Sequence, residues 1–281
     1  MTVILKKENA SEDTFTAAKD RVTASGRRFS LSPPGAVYAL IVILILWQVI
    51  GSMLDPIYIS TPVLVYKDLF SMLFGKHQIW HDIAVSAVEM YVGLGIALVL
   101  GGALGLLIGR SKVARSTLAP YINFLNATPI VITLPLMAIW VGVNQKARII
   151  FIVILALWPV LLNVAAGCRN VSGRYTELGS SAGLTRSEMI RKIIVPGVLP
   201  YFLTGARISA GLVVIGVVVS EMEVSLVGLG YLLASYASGF QTAKLLAVFV
   251  ISTTFGLVNV GVLTLIARKW APWVATEKRG R

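Results

Sequence analysis

An all-α integral membrane protein with six transmembrane helices is the fold class this 281-residue sequence predicts, and three observations carry the prediction. Apolar residues make up 56% of the chain and charged residues 14%, with a mean hydropathy of +0.81, too few charges to coat a soluble globule. Several uncharged runs reach the ~20 residues that a helix needs to cross a hydrocarbon core about 30 Å thick. Each run is continuously apolar, which excludes a transmembrane β-barrel, whose short strands alternate.

The expected spans cover residues 36–54, 87–109, 118–142, 149–167, 197–220 and 245–267. Residues 1–35 mix acids with bases and close on Ser-Pro-Pro; so long and acidic a stretch reads as a disordered tail ahead of an uncleaved anchor rather than a cleaved signal. Residues 55–86 alternate apolar and aromatic side chains with Lys67, Asp68, Lys76 and Asp82, the pattern of an amphipathic segment at an interface. His77 and His81 there stand at i, i+4, but no third ligand neighbours them, so no metal site is expected.

Glycines recur every fourth residue in the second span, at Gly101, Gly105 and Gly109, after Gly93 and Gly95. That spacing lets two helix backbones approach closely, within one chain or across a dimer. With no strand before it, the pattern is not a phosphate loop. Glu89, one turn into the span, either serves function or reaches interfacial water.

The third span holds Pro120, Pro129 and Pro135 with Asn123, Asn126 and Thr128. Each proline removes a donor and crowds the carbonyl four residues back, so residues 126–135 are expected to be irregular. Two readings stand: a stretch facing a solute passage, or a kink satisfied by neighbouring helices. Asn126, Thr128, Asn163, Glu221 and Glu223 are the candidate passage groups. A single cysteine, Cys168, excludes an internal disulfide, and Arg207, inside the fifth span, is expected to snorkel or to pair internally.

Charge placement predicts the topology. Lys and Arg gather in the first tail, in 110–115, in 169–192 and in 268–281, whereas the alternate connections hold only Lys67, Lys76, Lys146, Arg148 and Lys244. By the positive-inside rule both termini and the 169–192 segment face the cytoplasm, and the net charge of +12 reports orientation rather than nucleic-acid binding.

Residues 172–196 read as a helical hairpin. Thr185 and Glu188 form a T-x-x-E capping box, so a helix starts after Thr185 and runs over 186–195. Gly183 suits the left-handed position that closes a preceding helix over 174–182, and Pro196 and Pro200 mark a turn into the fifth span. A mere connection would be shorter, which makes this rigid surface a docking site.

Glu177, Gly183, Ile193, Val195 and Pro196 fall on the spacing E-A-A-x3-G-x9-I-x-L-P, which resembles the signature of permease subunits of ATP-binding-cassette importers. Leu178 and Gly179 stand for its alanines and Val195 for its leucine. WPVLLNVAAG (158–167), LPYFLTGARISAGL (199–212), SEM (220–222), GLGYLL (228–233), ISTPVLV (59–65) and TPIVITLPLMAIWVG (128–142) resemble the branch that handles nitrate, sulfonates, taurine and some vitamin precursors.

The resemblance implies a type I importer transmembrane domain in the bacterial inner membrane, paired as a homodimer within lipid. It implies two ATPase subunits at the cytoplasmic face and an extracytoplasmic binding protein opposite. Glu177, Leu178, Gly179, Gly183, Leu184, Thr185, Arg186, Glu188, Ile193 and Pro196 would form the ATPase-coupling surface, with Glu177 as anchor and Gly183 as hinge. No cofactor is expected on this chain, which has no G-x-x-x-x-G-K-[ST] loop; ATP and Mg would belong to the ATPase subunits. Glu89 departs from the branch, which often has a base there. An ion-coupled secondary transporter or channel is the alternative, disfavoured because the acids cluster near span ends and no inverted repeat is visible.

Overall fold

A computed structural model describes residues 33–75, 79–172 and 174–270. Residues 1–32 and 271–281 of the expected tails and His77 therefore lie outside the described residues, as do the side chains of Glu177, Leu178 and Asn123, while 33–35 and 268–270 are helical. The chain divides into two compact units, Met1–Ile50 and Gly51–Arg281. In the first, the described residues belong to helix α1 (Pro33–Met53).

In the second unit the helices are α2 (Pro62–Phe74), α3 (Trp80–Arg110), α4 (Lys112–Ala127), α5 (Thr133–Val141), α6 (Gln145–Ser172), α7 (Arg174–Ser181), α8 (Arg186–Met189), α9 (Val195–Val224), α10 (Leu229–Ser238) and α11 (Thr242–Trp270). Four stretches are long and apolar enough to cross a membrane: Trp80–Arg110, Gln145–Val171, Arg186–Val224 and Thr242–Leu265. The pair α4 and α5 counts as a fifth if its bent halves are one span, and α1 carries a shorter apolar helix, Val37–Met53.

The glycine repeat of α3 packs inside the chain. A Cβ built on Gly93 would stand 2.5 Å from Ile152, on Gly101 2.9 Å from Val160, on Gly105 2.7 Å from Val164 and on Gly109 2.5 Å from Cys168. Each pair is 59 residues apart and both numbers rise together, so α3 and α6 run parallel in one register along a ridge with nothing larger than a methyl group on the α3 side. Ala97 and Ala156, both fully buried, occupy the missing rung of the same ladder. Such contact replaces side-chain interdigitation with backbone packing, the means by which helices associate where lipid removes the hydrophobic incentive.

Helix α9 crosses α6 in the opposite sense. A Cβ on Gly205 would meet the Pro159 carbonyl and Val160 Cα at 2.8 Å, and Ser209 Oγ donates to Ala156 O at 2.6 Å. Pro159 leaves the α6 ladder short of a donor, and Asn163 Nδ2 donates to the Pro159 carbonyl at 2.7 Å one turn on. Met90, Leu94, Phe151, Ile152, Val213 and Val217 fill the core between α3, α6 and α9. On α11, Asn259 accepts from the Tyr91 hydroxyl and donates to Phe255 O at 2.6 Å.

Several boundaries differ from the sequence reading. Helix α3 begins at Trp80 rather than residue 87, and α2 occupies part of the expected interfacial segment behind a Thr61 cap and Pro62 in its first turn. The third span starts at Lys112, capped by Ser111, and is interrupted: α4 stops at Ala127, a 3₁₀ turn covers Ile130–Ile132, and the two arms bend by 82°. Pro129 cannot donate to Leu125; Thr128 instead gives its N–H to Phe124 O and Leu125 O and its hydroxyl to Phe124 O. The expected turn at Pro196 and Pro200 is absent. Residues 186–224 are continuously helical, with a π turn at Ile190–Ile194 immediately before Pro196, where a wider turn tolerates the missing donor.

The glycine ladder predicts a graded response. Gly105→Ala is expected to destabilise the chain by about 1–3 kcal/mol through overpacking against α6. Gly95→Ala, whose new Cβ meets nothing within 4 Å, is expected to be neutral or slightly stabilising. Melting of the detergent-solubilised proteins checks both.

Candidate coupling hairpin and the polar clamp at the opposite end

The hairpin closes by two local devices. Gly183 has φ +75°, its N–H donates to Ser180 O at 3.0 Å, and the Leu184 N–H donates to Gly179 O at 3.0 Å. This is the Schellman closure, which needs a left-handed residue at the position that Gly183 holds. Two residues on, the Glu188 N–H donates to Thr185 Oγ1 at 3.3 Å while the Thr185 N–H donates to Glu188 Oε2 at 3.1 Å. The expected capping box is therefore present, reinforced by Lys192 Nζ at 2.8 Å from Glu188 Oε1.

Residues 186–224 would extend ~58 Å as a helix, about twice a hydrocarbon core, so the first turns stand clear of the apolar span. There the Lys192 ammonium and the Thr185 donors hold the Glu188 carboxyl low, at about 2. Gly179 is buried under Met189 and Ile193, whose atoms would lie 2.6 and 2.9 Å from a Cβ built on it, so α7 packs flat on α8 and the π turn. Ile194 continues that contact into a core with Cys168, Val171 and Val198. Thr185 and Arg186 remain exposed at the tip, with Leu184 half-buried beneath them.

At the other end of α3 and α6 lies a buried polar cluster. Glu89 is fully enclosed, and the Arg148 guanidinium forks onto it, with Nη2 2.6 Å from Oε1 and Nε 3.1 Å from Oε2. The remaining arm, Nη1, donates to Val224 O, the last carbonyl of α9, at 3.0 Å. Glu221 is equally enclosed: Ser86 Oγ donates to Oε1 at 2.6 Å and the Gly230 N–H to Oε2 at 2.7 Å. The Gly228 N–H donates to Asp82 Oδ1 at 2.8 Å and the Leu229 N–H to Ser86 Oγ at 3.1 Å. Three successive amides at the start of α10 are thus held by acids and a hydroxyl from α3 and α9, which also oppose the positive end of the helix dipole.

These contacts correct the expectation for Glu89 and show where the passage candidates lie. Glu89 does not reach interfacial water; it neutralises Arg148, which the charge count had assigned to a connection. Glu221 is walled in as a clamp on α10 and is separated from Glu223, which is exposed. Asn126 is exposed, Thr128 half-buried and Asn163 bonded to the Pro159 carbonyl, so within one chain the five candidate passage groups do not form one constellation. The ion pair was nevertheless written in the spacing. Glu89 lies on the same i+4 row as Gly93, Gly101, Gly105 and Gly109, and Arg148 on the row of Ile152, Val160, Val164 and Cys168.

Removing one partner of the enclosed pair leaves a bare charge. Arg148→Met is expected to destabilise by about 3–5 kcal/mol, and the double variant Glu89→Leu/Arg148→Met by less. Thermal melts of the single and double variants check this. Gly228→Ala is expected to release α10, because its Cβ would sit 2.4 Å from the Glu221 carboxyl at φ +106°; faster hydrogen exchange of residues 229–238 would register the loss.

Comparison with known proteins matches this architecture. The family of binding-protein-dependent transport system inner membrane components matches residues 93–272. SsuC of Bacillus subtilis, named as an aliphatic sulfonates transport permease, is 31% identical over 83% of this chain and 84% of its own. The taurine transport system permease TauC of Escherichia coli is 28% identical over 85% and 89%. Among solved structures, an inward-facing MetNI methionine ABC transporter chain superimposes with a TM-score of 0.55 at 20% identity, over 67% of this chain and 94% of that one, a likeness of fold. The chain thus belongs to the binding-protein-dependent inner membrane components, the permease subunits of ATP-binding-cassette importers, in the branch that holds the sulfonate, taurine and nitrate permeases.

Proposed function

We propose that two copies of this chain pair to form the passage of an importer for a small anionic or zwitterionic solute. The relatives named for sulfonates, taurine, bicarbonate and nitrate support that solute class. Enclosure of Glu89 by Arg148 supports it too, since the acid that departs from the branch adds no uncompensated negative charge at the α10 end. In this reading both termini face the cytoplasm, residues 1–35 and 268–281 are cytoplasmic tails, and lipid surrounds the pair.

The observation that carries the reading is the hairpin: a helix closed at Gly183, a capped restart at Thr185, and an unbroken helical path from Arg186 into the apolar span. Separate ATPase subunits, which use ATP and Mg, would receive Leu184, Thr185 and Arg186 in a groove. Glu177, Leu178 and Gly179 belong to the supporting helix α7, with Glu177 as its anchor; Glu188, Ile193 and Pro196 join the tip to α9. Rigid continuity lets motion of the ATPase pair tilt α9, alternating access to a solute handed over by a binding protein at the α10 end. The chain itself has no nucleotide loop and performs no hydrolysis.

A left-handed backbone with open space around it separates conformation from packing as the requirement at Gly183. Gly183→Val is expected to abolish uptake while the chain remains in the membrane; Gly183→Asn, which tolerates that conformation, is expected to retain most of it. Radiolabelled uptake in cells, with immunoblots of membranes, distinguishes the two. Arg186→Glu is expected to weaken co-purification of the ATPase more than docking of the loaded binding protein, and equal loss of both would remove the tip assignment.

A further inference from the structure

Arg207 is exposed in the chain and stands 22nd in the 39-residue helical run, on the face of α9 that also leaves Thr204 and Ile208 exposed. It edges a cavity of about 310 Å³ whose other walls include Leu94, Leu98, Leu203, Val260 and Leu263. Among the described residues it makes no ion pair or hydrogen bond. The internal pairing expected from the sequence is not seen among the described residues.

The acid content of the chain sharpens the point. No Asp or Glu occurs between Glu89 and Glu177, between Glu188 and Glu221, or between Glu223 and Glu277. On its own helix the nearest acids are Glu221 and Glu188, ~21 and ~28 Å away along the axis, and Glu221 is already enclosed by Ser86 and Gly230. A second copy related by a two-fold axis along the membrane normal brings its acids to the same depths and its own Arg207 to this one. Among the described residues, no acid is paired with the guanidinium.

A permanent cation within the apolar run 197–220, beside a cavity whose lining is apolar but for Thr264 and Arg207 itself, calls for an anion or water from outside the protein. Its planar fork of donors matches the oxygens of sulfonate, bicarbonate or nitrate. We infer that Arg207 is the anion-holding point of the translocation pathway, taking the negatively charged group of the solute as it crosses. This rests on the permease reading and the anionic solute class proposed above.

The test uses the whole importer, with its ATPase and binding protein, in vesicles of phosphatidylcholine, and follows labelled taurine, nitrate and bicarbonate. Arg207→Gln is expected to lower uptake of the transported anion about tenfold, the loss of one charge-assisted contact, with assembly and ATP hydrolysis preserved. Wild-type uptake by Arg207→Gln overturns the inference alone; no uptake of any of the three by the unaltered importer overturns the anionic reading as well.

Vesicles containing phosphatidylglycerol separate the other source of an anionic group. If that lipid raises the melting temperature of the unaltered protein but not of Arg207→Gln, and uptake in phosphatidylcholine is unchanged, Arg207 holds a headgroup and the inference fails. Where Arg207→Gln does not assemble, Arg207→Lys decides. A raised half-saturation concentration for the anion at unchanged ATP hydrolysis supports the role, and an unchanged one overturns it.

Discussion

Close parallel contact between α3 and α6 is the constraint on which the rest of the structure depends. Four glycines and Ala97 on an i+4 row leave nothing larger than a methyl group on one surface, so the backbone of α3 rests on Ile152, Val160, Val164 and Cys168 of α6. A side-chain seam tolerates slippage; a backbone seam with built Cβ distances below 3 Å does not. The register of 59 residues then propagates to both ends of the pair. At one end it sets Glu89 opposite Arg148, and at the other it brings Cys168 and Val171 against Ile194 at the root of the hairpin.

Polar groups in this chain divide by whether the fold completes them. The α10 end holds two carboxylates, a guanidinium, a serine hydroxyl and the first amides of a helix, and each of these groups has at least one hydrogen-bond partner. Half-satisfied, such a cluster would be costly in a low-dielectric interior; completed, it ties α3, α6, α9 and α10 into one body. Arg207 belongs to the other kind. Its charge is as permanent as that of Arg148, yet no described acid pairs with it, and that contrast separates a cation completed by the fold from one the fold leaves open.

Continuity of the helix from Arg186 to Val224 changes how the hairpin relates to the span. Prolines at 196 and 200 suggested a corner, but a π turn ahead of Pro196 absorbs the missing donor without ending the helix. The bend occurs elsewhere, between α4 and α5, where Pro129 follows a threonine that captures the freed carbonyls. Pro129 ends its helix where Thr128 supplies the freed carbonyls with another donor, and Pro196 is carried through behind a widened turn.

By itself the sequence determined what depends on local chemistry and on the solvent. Uncharged length set the apolar spans, glycine spacing set which face of α3 would be packed, and the Thr185–Glu188 box with Gly183 set the hairpin, because caps and left-handed turns are decided within a few residues. Tertiary structure alone decided which partner each surface met. That α6 rather than a second chain covers the glycine ridge, that Glu89 finds Arg148, and that Glu221 clamps α10 are contacts across 59 residues for the first two and 9 for the last. Such pairings are governed by the register of packed helices, a quantity no short window of residues contains, and so one carboxylate one turn inside a span reads identically whether it faces water, a solute or an arginine.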